Sequence, residues 1–123
     1  PVDVLGSFFG NEPSVKTKTL GCIGHYLTGF ILAMVGKSLL ILVNQELNIL
    51  SGAIWGLLAS IGALIFFSTV HSIHPRMIKD LTPAPGYLAL NYGKASPLVI
   101  TLGHIIYGGL LGVSVNILHL NEF

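Results

Sequence analysis

From Ile49 to Ile73 the chain carries no Asp, Glu, Lys or Arg, and two further stretches, Leu20 to Val43 and Pro97 to His119, carry only Lys37 between them. An α-helix rises about 1.5 Å per residue, so each stretch can cross a hydrocarbon layer of about 30 Å. The sequence therefore predicts three transmembrane helices, at about 20–43, 49–73 and 97–119, in an all-α integral membrane bundle. Composition agrees: of 123 residues 52% are hydrophobic and 9% charged, where a soluble domain has about 25% charged. A water-facing surface cannot be made from so few charges, and membrane lipids are the implied surroundings. The formal net charge of +1 gives no electrostatic footprint for nucleic acid.

The polar break Asn44–Asn48 is short, so the first two spans must be antiparallel neighbours. Pro75 ends the second span at His74, because the residue before proline disfavours helical geometry. The loop at about 75–96 combines Arg76, Lys79, Asp80 and Lys94 with Pro83, Pro85 and Gly86, and belongs at the interface rather than in lipid. Tyr87 and Tyr92 suit the headgroup level, with Tyr26 and Trp55 as further anchors. Residues 1–19 read as a cytoplasmic or interfacial segment whose Phe8 and Phe9 dip into the membrane surface, and residues 20–123 as one transmembrane domain. Lys16, Lys18, Arg76, Lys79 and Lys94 all fall on one side, which predicts a cytoplasmic N-terminal segment and long loop, an outward C-terminus, and a bacterial inner membrane.

Small and polar residues recur every fourth position. The first span reads Gly21, His25, Gly29, Ala33, Lys37, the third His104, Gly108, Gly112, Asn116, and the second Gly52, Gly56, Ser60. Without a hydrophobic drive between helices in lipid, close approach along small residues holds a bundle together. The ridges of the first and third spans are the expected contacts, the second span supplies a third, and His25 and His104 hydrogen-bond across the seam. The functional alternative is that His25 and His104 ligate a haem or chlorophyll-type pigment, since an imidazole beside glycine leaves room for a flat macrocycle. His71 and His74, spaced i, i+3, form a candidate metal pair with Asp80 near, though two histidines are too few for a site. Lys37 is expected to snorkel outward and meet lipid phosphate, Glu46 or a partner subunit. His119 reads as a solvated terminal residue, and Cys22, the single cysteine, lacks the apolar leader of a lipoprotein signal.

Several stretches carry a resemblance: Pro1–Gly6, Leu20–His25 with Gly29, Ala84–Gly86 and, most distinctively, Gly103-His104-Ile105-Ile106-Tyr107-Gly108-Gly109-Leu110-Leu111-Gly112. Together they resemble a family of small bacterial multi-pass membrane proteins of unknown function. Members usually have four spans, which implies a further helix before Pro1 and fits the missing initial Met. The resemblance implies a fold and no reaction.

The spans hold no carboxylate for an ion relay, and no catalytic triad or metal motif is legible. The sequence points to a non-enzymatic accessory subunit that packs on other transmembrane subunits, with an energy-converting complex as the leading setting and no cofactor. The alternatives are a haem- or pigment-binding protein and a small oligomeric transporter or channel.

Overall fold

Capping, rather than hydropathy, sets where the first two long helices begin. In the computed structural model, which describes residues 2–10 and 14–120, the first long helix starts well before the apolar run. Ser14 takes an extended conformation and its Oγ accepts the Thr17 N–H, while Thr17 Oγ1 accepts the Ser14 N–H. This reciprocal box satisfies two donors that a helix start leaves unpaired. Asn48 and Ser51 repeat the device on the next helix, with Asn48 Oδ1 accepting from Leu50 and Ser51. The elements are α1 (Val2–Gly6), α2 (Val15–Leu42), α3 (Ile49–Thr69), α4 (Pro75–Ile78) and α5 (Ser96–Ile117), with 3-10 turns at Val70–Ser72 and Tyr87–Tyr92. There is no strand among the described residues.

Three of these helices are long and apolar enough to cross a membrane, and the chain is an all-α membrane bundle. The α3 and α5 helices run antiparallel on a seam of backbone against backbone. A Cβ added at Gly56 would collide with the His104 carbonyl, at Gly52 with that of Gly108, and at Gly112 with that of Asn48. Only glycine permits such an approach, and dispersion between the bared backbones then holds the pair. Ser60 continues the seam fully buried, its hydroxyl bonded to the Leu57 carbonyl.

The ridge of α5 is thus occupied by α3, and the pairing of the first and third ridges expected from the sequence does not form. The reason is steric. On α3 the ridge is Gly52, Gly56 and Ser60 and meets the glycines of α5 backbone to backbone, whereas the α2 ridge carries the longer side chains of His25 and Lys37. Only Thr17, Gly21 and Gly36 are buried along α2. Past its first turns, where Gly6 of α1 lies against the Thr17 backbone, that helix is held by single contacts. Trp55 Nε1–H donates to the Leu32 carbonyl at 3.0 Å and Tyr107 Oη–H to that of Gly29 at 3.2 Å. Gly36 makes room for the indole ring.

The end where α2 and α5 begin and α3 finishes gathers Lys16, Lys18, Arg76, Lys79 and Lys94, and is capped by an apolar cluster. Val4, Phe67, Val70, Met77 and Ala89 are its core, with Phe8, Phe66, Ala84 and Ile100 against it. Phe8 therefore turns inward rather than toward lipid, and Phe9 is 70% exposed. Ser68 Oγ accepts the Leu88 N–H at 2.8 Å, which ties the loop to α3 through a turn where Leu88 and Ala89 have positive φ.

Candidate functional site

The intramembrane histidines do not meet. His25 is exposed, with its ring set edge-on to Tyr26 at 6.0 Å. His104 is half-buried, and its Nδ1 lies 2.8 Å from the carbonyl of Ile100, one turn back on its own helix. A carbonyl only accepts, so Nδ1 carries the proton. The nearest acceptor to a helical histidine is its own preceding turn, and this replaces the expected bond across the seam. Beside the two rings, Gly24 and Gly103 face open space.

His71 and His74 also part company. Helical spacing would set them on one face, but α3 gives way to a 3-10 turn and His74 is extended (φ −82°, ψ 118°) ahead of Pro75. His71 is exposed beside Ser72. His74 is fully buried, its ring centre 4.1 Å from that of Phe8 and tilted 54° to it, and its Nδ1 accepts the Arg76 N–H at 3.2 Å. Its proton must then sit on Nε2, which donates toward Ser7 Oγ at 2.9 Å and the Val4 carbonyl at 3.2 Å. Ser7 in turn donates to that same carbonyl. Both nitrogens are spent on structure: His74 caps α4 and ties α1 to the end of α3. No group of three or more potential metal ligands comes together among the described residues, and Asp80, at positive φ, is exposed.

At the opposite end Lys37 is half-buried and its Nζ donates to the Leu120 carbonyl at 2.7 Å. It borders a cleft of about 300 Å³ between α2 and α5, lined by Tyr26, Phe30, Ala33, Met34 and Leu111 among others. The other ridge residues of α2 lie apart: Gly21 approaches Gly6 of α1, and Gly29 meets the Tyr107 hydroxyl. Cys22 is a free, half-buried thiol and His119 is exposed.

A larger cavity, about 620 Å³, opens at the basic end among α1, the first turn of α2, α4 and the following loop. Asp3, Ser7, Lys18, Arg76, Thr82 and Tyr92 give it its polar wall. Arg76 Nε donates to Thr82 Oγ1 at 3.1 Å and Tyr92 Oη to the Pro83 carbonyl at 3.4 Å. Burial, and secondarily the Asp3 carboxylate, push the Tyr92 hydroxyl above the usual phenol range. Sequence reasoning missed this cavity, since its residues come from four separate segments and share no periodicity. The only hint was Asp3, an acid in the segment that leads into the basic end.

No family model, curated protein or solved structure matches the chain.

Proposed function

We propose that this chain is a non-catalytic accessory subunit of a larger membrane complex, set in a bacterial inner membrane with its basic end in the cytoplasm. The observation that carries the reading is the difference between its helices. The α3–α5 pair is closed on its own glycine seam, while α2 buries three residues and leaves a cleft beside Ala33. Ile23, Leu27, Phe30 and Met34 are exposed along it. A transmembrane helix of another subunit fits such a face, because packing against small residues is what associates helices in lipid. The carboxylate-free spans speak against ion coupling. The test is native mass spectrometry of the full-length protein released from its own membrane in gentle detergent. A heteromer of fixed stoichiometry that Ala33→Leu dissolves supports the proposal; a monomer carrying only lipid refutes it.

A second reading, haem or pigment binding, is favoured by one observation. With Nδ1–H of His104 directed at the Ile100 carbonyl, Nε2 is left as the nitrogen for an axial ligand, in the arrangement by which ligating histidines are usually oriented. Gly103 beside it leaves the space a macrocycle needs. A Soret or chlorophyll-type band lost in His104→Ala or His25→Ala establishes this reading, and a colourless stoichiometric complex removes it.

A further inference from the structure

The cavity at the basic end combines charges of both signs in one wall. Asp3 comes from α1, Lys18 from the first turn of α2 and Arg76 from α4, and no ion pair joins them among the described residues. A wall of cations alone would select an anion, and a wall of carboxylates an amine. Here a lone phosphate would meet the Asp3 carboxylate and a lone amine would meet two cations. A ligand that carries a phosphate and an ammonium a short distance apart satisfies all three. Arg76 is held for this by Thr82, which takes Nε and leaves the terminal nitrogens of the guanidinium as donors, the part of arginine that best matches phosphate.

Position selects the source of that ligand. Lys18 lies at the start of the first candidate span, Arg76 just past the end of the second, and Tyr92 just before the third. All three therefore sit at the depth where lipid headgroups lie. Val4, Leu81 and Pro83 complete the wall with apolar surface, suited to a glycerol backbone and the first methylenes of acyl chains. From this geometry we infer that the cavity is a binding site for an aminophospholipid headgroup of the phosphoethanolamine type, with phosphate on Arg76 and Lys18 and ammonium on Asp3. The inference is independent of the accessory-subunit reading, and it concerns a different end of the molecule from the cleft.

The experiment is titration of the delipidated full-length protein with phosphatidylethanolamine, phosphatidylcholine and phosphatidylglycerol of equal acyl chains, followed by native mass spectrometry. The expected result is one tight copy of phosphatidylethanolamine, with phosphatidylcholine weaker because its trimethylated nitrogen cannot donate to Asp3. Asp3→Asn should weaken phosphatidylethanolamine about fivefold and leave phosphatidylglycerol unweakened. Lys18→Gln, on an exposed side chain whose loss does not threaten the fold, should weaken both by a similar factor. Equal binding of phosphatidylethanolamine and phosphatidylcholine, or indifference to Asp3→Asn or to Lys18→Gln, overturns the assignment. So does competition by glycerophosphoethanolamine at the strength of the lipid itself, which would make the ligand a soluble phosphoamine.

Discussion

The α3–α5 pair and α2 are built from the same kinds of residue and are held in opposite ways. Between α3 and α5 glycines bring two backbones together, so the contact is continuous and leaves no space for another atom. Along α2 glycine is as frequent, yet Gly24 faces nothing within 4 Å and Gly29 meets only the end of the Tyr107 side chain. Its attachment to the α3–α5 pair and to the segment after α5 rests on hydrogen bonds from Trp55, Tyr107 and Lys37. Small residues thus create a helix interface where glycines of one ridge meet exposed backbone of the other, as they do between α3 and α5 and not along Gly24 and Gly29 of α2. The difference leaves α2 with the open face on which the proposed partner would pack, and α3–α5 as the closed pair.

The comparison breaks most sharply at Gly56. Gly56→Leu drives a side chain into the His104 backbone and should cost about 3 kcal/mol or more, since neither helix can yield locally. Unfolding in mixed micelles measures it, and a loss under about 1 kcal/mol would mean that the seam is not tight. Next comes His74→Ala, which removes the α4 cap and the tie to α1 and leaves an apolar void, for an expected cost of about 2–4 kcal/mol. Protease cleavage after Lys16 or Lys18 should accelerate with it, and unchanged cleavage would show that the N-terminal segment is held some other way. Trp55→Phe keeps the ring on Gly36 but loses the bond to Leu32, with an expected cost of about 1 kcal/mol. A larger loss would mean that α2 depends on this anchor more than on the partner proposed for it. Gly24→Ala should cost nothing measurable, because the added methyl enters open space, and any destabilisation would contradict the looseness of α2.

The smallest effect concerns Tyr92. Its hydroxyl pKa is raised in the folded protein, so the fold favours the protonated phenol. The stabilisation is fully present below the ordinary phenol pKa and is lost as pH rises through the folded value. Asp3→Asn should bring the titration back toward the ordinary range, read as the difference in phenolate absorbance between proteins with and without Tyr92→Phe. An unmoved titration would mean that Asp3 does not face the hydroxyl, and would weaken the headgroup assignment with it.

Much of the architecture is legible in the sequence. The three spans, the antiparallel turn at Asn44–Asn48 and the break at Pro75 follow from long stretches with a single charge, Lys37, among them and from proline chemistry. Span ends were less so, because the Ser14 cap extends α2 into residues that hydropathy counts as polar. The residues of the candidate sites were visible as residue types and not as geometry. An i, i+3 pair such as His71 and His74 shares a face only while the α-helix lasts, and α3 ends at Thr69, before both.

What the sequence determined alone is what each segment prefers as solvent. Length without charge commits three segments to lipid, and the helix is the form in which a spanning segment satisfies its own backbone there. What only the tertiary structure decided is which ridges meet and which polar side chains share a space. His104 turns to its own helix, His74 closes a cap, and Asp3, Lys18 and Arg76 converge on one cavity because segments far apart in the chain finish at the same end of the bundle. Local pattern cannot encode that convergence, because it depends on how whole helices lie against one another.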